Sequence, residues 1–133
     1  MYLVALAADY DGTLARHGRV DALTVGALER LKASGRKLLM VTGRELPDLK
    51  RVFHRIDLFD TIVAENGSLL YFTETQEERL VAAAPPSELV DALRARDVLP
   101  LSVGRGIIAT WTPNEATVLD CIRELGLEWQ IIF

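Results

Sequence analysis

Tyr2-Leu3-Val4-Ala5-Leu6-Ala7-Ala8 runs without a charge into Asp9-Tyr10-Asp11-Gly12-Thr13-Leu14. An apolar run of this length, bounded by polar residues, predicts a strand buried on both faces. Buried parallel strands present their functional groups at their carboxyl ends, in the crevice above the sheet. Here that crevice would receive two carboxylates spaced i, i+2, with Gly12 to turn the backbone and Thr13 to supply a hydroxyl and an amide. Carboxylate oxygens are hard ligands suited to Mg²⁺, an ion that sits against phosphate oxygens. The pattern therefore points to phosphoryl chemistry at an aspartate. An EF-hand loop also opens Asp-x-Asp, but it needs Gly at its sixth position and Glu at its twelfth. Counted from Asp9, those positions hold Leu14 and Val20. A plain acidic turn, with Gly for a positive φ, is the other alternative.

Two further apolar segments end in polar clusters. Lys37-Leu38-Leu39-Met40-Val41 leads into Thr42-Gly43-Arg44, and Thr61-Ile62-Val63-Ala64 into Glu65-Asn66-Gly67-Ser68. Between the strands, Leu23, Ala27, Leu28 and Leu31 recur at helical spacing behind a cap at Asp21 or Thr24, and Gly35 stops that helix. A second helix is expected over 45–54, with Pro47 in its first turn. Alternating strand and helix predict a parallel sheet with crossover helices. Asn66-Gly67 then turns the chain into an antiparallel strand over 68–72. At Ala82-Ala83-Ala84-Pro85-Pro86 the character changes to a stiff linker. Beyond it the sequence predicts a helix over 87–96 capped by Ser87, then short strands over 99–103 and 107–111. A helix opened by Pro113-Asn114 and a last strand over 129–133 complete the order.

Composition narrows the function classes. The 133 residues are 50% hydrophobic and 26% charged, an ordinary globular balance, with a formal net charge of −4. No basic tract is present, so nucleic acid is not an expected partner. No run reaches the ~18 apolar residues of a spanning helix, so a membrane is not expected either. A single cysteine, Cys121, excludes an internal disulfide and suits a cytoplasmic location.

The three motifs, in this order and spacing, resemble the haloacid dehalogenase superfamily of phosphatases and phosphotransferases. The Glu-Asn-Gly hairpin is similar to that of the subgroup whose α/β cap is inserted after the second motif. The resemblance covers roughly residues 2 to 72; beyond that only the types of the elements match. It implies an α/β fold: a partial Rossmann-like parallel sheet, the first three core strands plus a hairpin, over 1–82, followed by part of an α/β cap domain over 83–133. It also implies Mg²⁺-dependent hydrolysis of a phosphate monoester through an aspartyl-phosphate. Asp9 would be the nucleophile and Asp11 the general acid and base. Asp9 and Asp11 would hold Mg²⁺, the latter through its backbone carbonyl, while Gly12, Thr13, Thr42, Gly43 and Arg44 would bind phosphate or substrate. For Thr42 a strand-end or capping hydroxyl is the alternative, and for Arg44 a solvated position. The substrate class would be a small phosphorylated metabolite, such as a sugar phosphate or a phosphoglycolate-like compound.

The family also uses a lysine and a late acidic cluster, which have no match here. Lys32, Lys37 and Lys50 all precede the cap region and read as solvated, while Asp91, Asp97 and Asp120 fall in or beside helical segments. The resemblance therefore implies the amino-terminal portion of such an enzyme, cut inside or at the end of its cap, with an incomplete site when alone. Its first strand would be an exposed edge, open to dimerisation or to pairing with the missing half. The alternative from another class is a non-catalytic module that keeps the phosphate and Mg²⁺ pocket for binding or assembly.

Overall fold

The computed structural model describes residues 3–133. The chain separates into two compact units, Met1–Ala82 and Ala83–Phe133. The first is an α/β unit built on one five-stranded sheet with the order β1-β2-β3-β4-β5. Strands β1 (Ala5–Asp9), β2 (Lys37–Val41) and β3 (Thr61–Ala64) run parallel, while β4 (Leu69–Phe72) and β5 (Glu77–Leu80) extend the sheet antiparallel. Helix α1 (Ala22–Ala33) crosses from β1 to β2, and α2 (Leu46–Val52) begins the crossover from β2 to β3. Asp21 caps α1, its carboxylate accepting from Thr24 N at 2.7 Å. That bond satisfies one of the amides a helix start leaves unpaired. Pro47 sits in the first turn of α2, where a missing N–H costs nothing.

The core lies on one face of this sheet. Alternate residues Leu38 and Met40 of β2, Ile62 and Ala64 of β3, and Leu69 and Tyr71 of β4 are buried together with Leu28, Leu46, Leu49, Phe53 and Phe59. Their partners on the other face, from Val41 to Phe72, are only partly covered or exposed. The apolar run of β2 is thus read by the fold with a period of two. The expectation of a first strand buried on both faces is corrected. Among the described residues β1 is an edge strand paired only with β2, and Leu3, Val4 and Leu6 are exposed, Val4 at 74%. Tyr2, expected to open that strand, lies outside the described residues.

Other differences have local causes. β5 was not visible in the sequence, because Glu77-Glu78-Arg79-Leu80 has no apolar alternation; its backbone pairing with β4 makes it a strand. The three lysines all have partners. Lys32 donates to the Asp57 carbonyl, Lys37 pairs with Asp60 at 2.8 Å, and the Lys50 ammonium stands 4.1 Å from the Tyr71 ring centroid.

In the second unit, helices α3 (Ser87–Ala95) and α4 (Glu115–Glu124) accompany a two-stranded antiparallel ribbon of β6 (Leu101–Val103) and β7 (Ile108–Thr110). Its core is Leu89, Leu93, Val98, Cys121 and Ile122. Pro86, not Ser87, occupies the cap position of α3, and no side chain caps it. Residues 129–133 form no strand: Trp129 and Ile131 pack on the unit's core, and Phe133 is 94% exposed. No helix of the described residues is long and apolar enough to cross a membrane.

Candidate functional site

Tyr10 explains why the two carboxylates of the first motif emerge together. Its side chain is fully buried, tilted against Phe53 with ring centroids 5.8 Å apart, and its hydroxyl donates to the Gly18 carbonyl at 3.0 Å. With Tyr10 anchored inward, its neighbours Asp9 and Asp11 remain exposed at the carboxyl end of β1. Burial raises the Tyr10 phenol above its ordinary pKa, against the opposing pull of Arg44. Gly12, at φ +78°, makes the turn that follows, and its amide donates to Ala15 O at 3.0 Å. Leu14 N and Ala15 N return to the carbonyls of Asp9 and Tyr10, so the closing bonds of the loop leave the Asp11 carbonyl out. Thr13 Oγ1 donates to Asp9 Oδ2 at 3.3 Å.

The second motif lies next to the first because Asp9 is in register with Val41. Thr42 is buried at the end of β2; its amide donates to Val63 O at 2.9 Å and its Oγ1 accepts from Arg44 N at 3.1 Å. The hydroxyl therefore closes a local turn. Gly43 packs closely on the third motif: a Cβ there would lie 2.7 Å from Asn66 Oδ1, so the Asn66 side chain would have to move. The third motif is stitched onto the second by its backbone: Glu65 N donates to Arg44 O and Asn66 N to Thr42 O. Glu65, Asn66 and Gly67 all take positive φ, and Glu65 is buried.

Arg44 is where the motifs meet side chain to side chain. Its Nε donates to Asp11 Oδ2 at 2.7 Å and Nη2 to Asp11 Oδ1 at 2.9 Å, a bidentate fork. Nη1 donates to Asp48 Oδ2 at 2.5 Å, and the guanidinium carbon stands 5.6 Å from the Tyr10 ring centroid. The Asp11 hydrogen bonds, reinforced by Asp48 and partly offset by burial, raise the Arg44 pKa above the ordinary guanidinium value. Burial pushes the Asp48 carboxyl up, but hydrogen bonds from Arg51 and Arg44 outweigh it and hold its pKa below the usual carboxylate range.

Of the seven residues singled out in the sequence, Asp9 thus ends β1 and the other six lie in the two adjoining loops that follow β1 and β2. Asp48 was missed, although its position four residues after Arg44 is the helical spacing at which opposite charges meet.

The family model of the haloacid dehalogenase-like hydrolases matches residues 6–97, a span that contains all three motifs. This chain belongs to the haloacid dehalogenase-like hydrolases. It is 29% identical over 114 residues to a phosphoglycolate phosphatase of Halorubrum lacusprofundi, covering 85% of this chain and 48% of that protein. It is 36% identical over 76 residues to the Bacillus subtilis protein YxeH, covering 54% of this chain and 28% of that one. Among solved structures, a sugar phosphatase of haloacid dehalogenase subclass IIB aligns with a TM-score of 0.55 at 28% identity, over 94% of this chain and 50% of the other. A Thermoplasma acidophilum protein aligns with a TM-score of 0.66 at 11% identity, over 95% of this chain and 59% of its own, a likeness of fold alone. The chain spans about half or less of the length of the curated relatives it matches.

For a haloacid dehalogenase-like hydrolase the metal question turns on donor chemistry. The Asp9 carboxylate and the Asp11 carbonyl are hard oxygen donors, and Mg²⁺ binds through one or two carboxylates plus waters and substrate phosphate. That donor set fits Mg²⁺. Among the described residues no group of three or more His, Cys, Asp or Glu side chains could hold a metal ion. Water and substrate phosphate would be among the remaining ligands of a six-oxygen shell. The Asp11 side chain itself faces a guanidinium.

Proposed function

We propose that this chain carries the nucleophile and acid–base part of a Mg²⁺-dependent phosphatase for a small phosphorylated metabolite, a sugar phosphate or a phosphoglycolate-like compound. The observation that supports it most is the meeting of the motifs: Asp9 and Asp11 leave β1 beside the Thr42-Gly43-Arg44 loop, and Arg44 reaches Asp11. In this reading an Asp9 carboxylate oxygen attacks phosphorus and the ester P–O bond breaks. Asp11 passes its proton to the leaving oxygen. Water then attacks the aspartyl-phosphate, Asp11 takes a proton from it, and the Asp9 carboxylate is released with inorganic phosphate. Thr13, beside Asp9, and the Gly12, Thr42 and Gly43 loops would surround the phosphate. Mg²⁺, held by Asp9 and the Asp11 carbonyl, would supply charge neutralisation during transfer.

The test is the first half of that reaction, in which the new bond forms on Asp9 itself. Acetyl phosphate with Mg²⁺ is expected to add the mass of one phosphoryl group to the folded wild-type chain and none to Asp9→Asn. A folded wild-type chain that takes up no phosphoryl group refutes the proposal and leaves the binding-module reading.

A further inference from the structure

Arg44 was expected to meet substrate, yet three of its donors go to carboxylates of its own chain. The fork on Asp11 is bidentate, the third bond goes to Asp48, and Arg51 holds the other Asp48 oxygen. Tyr10 flanks the guanidinium, and Arg44 Nη2 lies 3.8 Å from the position of a Cβ on Gly18. Only 27% of the Arg44 side chain is exposed, against 48% for Asp11. The guanidinium is therefore the fixed member of the pair and the Asp11 carboxylate the member being held.

We propose that Arg44, braced by Asp48, is a positioning residue that orients the Asp11 carboxyl for proton transfer, and that it does not serve as a phosphate ligand. The inference rests on the phosphatase reading. A planar fork fixes both oxygens of the ionised carboxylate at once, which an ammonium cannot do; when Asp11 carries its proton, one oxygen keeps an N–H of the fork and the other presents the proton to the leaving oxygen. Without the fork, Asp11 could turn freely about its side-chain torsions. The consequence is selective. A donor whose leaving group departs without a proton gains nothing from an oriented Asp11, whereas a donor that releases a basic oxygen depends on it. Loss of a phosphate ligand would instead weaken every donor alike.

The experiment compares phosphorylation of Asp9 by acetyl phosphate, which releases acetate, and by phenyl phosphate, which releases the more basic phenolate. Wild type, Arg44→Lys and Asp48→Asn are followed by intact mass in single turnover. General acid catalysis contributes ~10²–10⁴-fold, so partial misorientation is expected to slow phenyl phosphate about tenfold more than acetyl phosphate, with the concentration for half-maximal rate unchanged. Equal losses with both donors, or a rise in that concentration, overturn the inference and return Arg44 to the phosphate. A nitrogen–proton NMR spectrum supplies a readout free of activity: the Arg44 Nε–H signal is expected to shift in Asp11→Asn and in Asp48→Asn. A signal that ignores Asp11→Asn overturns the inference alone. No phosphorylation of wild type by either donor removes the phosphatase reading, and this inference with it.

Discussion

Gly43→Ala tests the contact that joins the second motif to the third. A Cβ on Gly43 would lie 2.7 Å from Asn66 Oδ1, about 0.7 Å closer than ordinary contact at 3.4 Å. Gly43 itself has no left-handed φ, so its backbone accepts alanine and the whole cost arises from Asn66. Overpacking costs ~1–3 kcal/mol in general. Asn66 is exposed and its carboxamide can swing aside, which places this site at the low end, about 1 kcal/mol. Against that, Gly→Ala at a compatible position stabilises by ~0.4–1 kcal/mol through the unfolded chain. The net effect of Gly43→Ala alone is therefore small, and the coupling is the informative quantity. In an Asn66→Gly background, where the φ of 53° is met without strain, the clash is gone and Gly43→Ala becomes stabilising. The two backgrounds should differ by about 1 kcal/mol, which in urea is a midpoint shift of roughly 0.5 M at a slope of ~2 kcal/mol/M. Urea melts of the four chains, followed by circular dichroism, give this cycle directly. An identical effect of Gly43→Ala in both backgrounds would falsify the account of why the second motif carries glycine.

Two other perturbations probe the sheet. Asp60 accepts from Lys37 Nζ and from Leu38 N, each at 2.8 Å, and the Lys37 bond above all holds its carboxyl below the ordinary value. Asp60→Ala is expected to cost about 1–2 kcal/mol near neutral pH. Because the folded pKa is depressed, that stabilisation is present above the ordinary carboxylate value of ~3.9 and fades as pH falls through the lower folded value. A wild-type advantage in urea melts that persists undiminished below that range would contradict the ion-pair assignment. At the edge of the sheet, the exposed β1 is expected to self-associate with rising concentration, and Val4→Lys to suppress this, as edge charges do. Light scattering that finds wild type monomeric throughout removes that expectation.

Some of this fold was legible because local and tertiary signals agree. β3 was readable to the residue from an apolar tetrapeptide followed by Asn66-Gly67, and the strand-to-loop positions of Asp9, Thr42 and Glu65 followed from the same rule. β5 was hidden since its pairing is with backbone, which composition does not report. The segment 129–133 misled in the opposite sense. Its apolar residues match a strand, yet its contribution is side-chain packing of Trp129 and Ile131 on a helical core. At the site, residue types and neighbourhood were readable, but the partner of Arg44 was not. Asp11 lies 33 positions away, and only the β1–β2 register brings the two together.

In the first unit the spatial order of the strands is also their order along the chain. Ribosomal synthesis releases a chain from its amino end, and domains fold in that direction. Each strand from β2 onward therefore emerges when the edge it must join already exists. None has to be inserted between two that are already paired. The parallel pairs carry the cost of their long crossovers early, and the antiparallel β4 and β5 then add by short turns. Within this unit β1 is thus the template that β2 joins, and among the described residues its outer edge and that of β5 are the two that the sheet leaves unpaired.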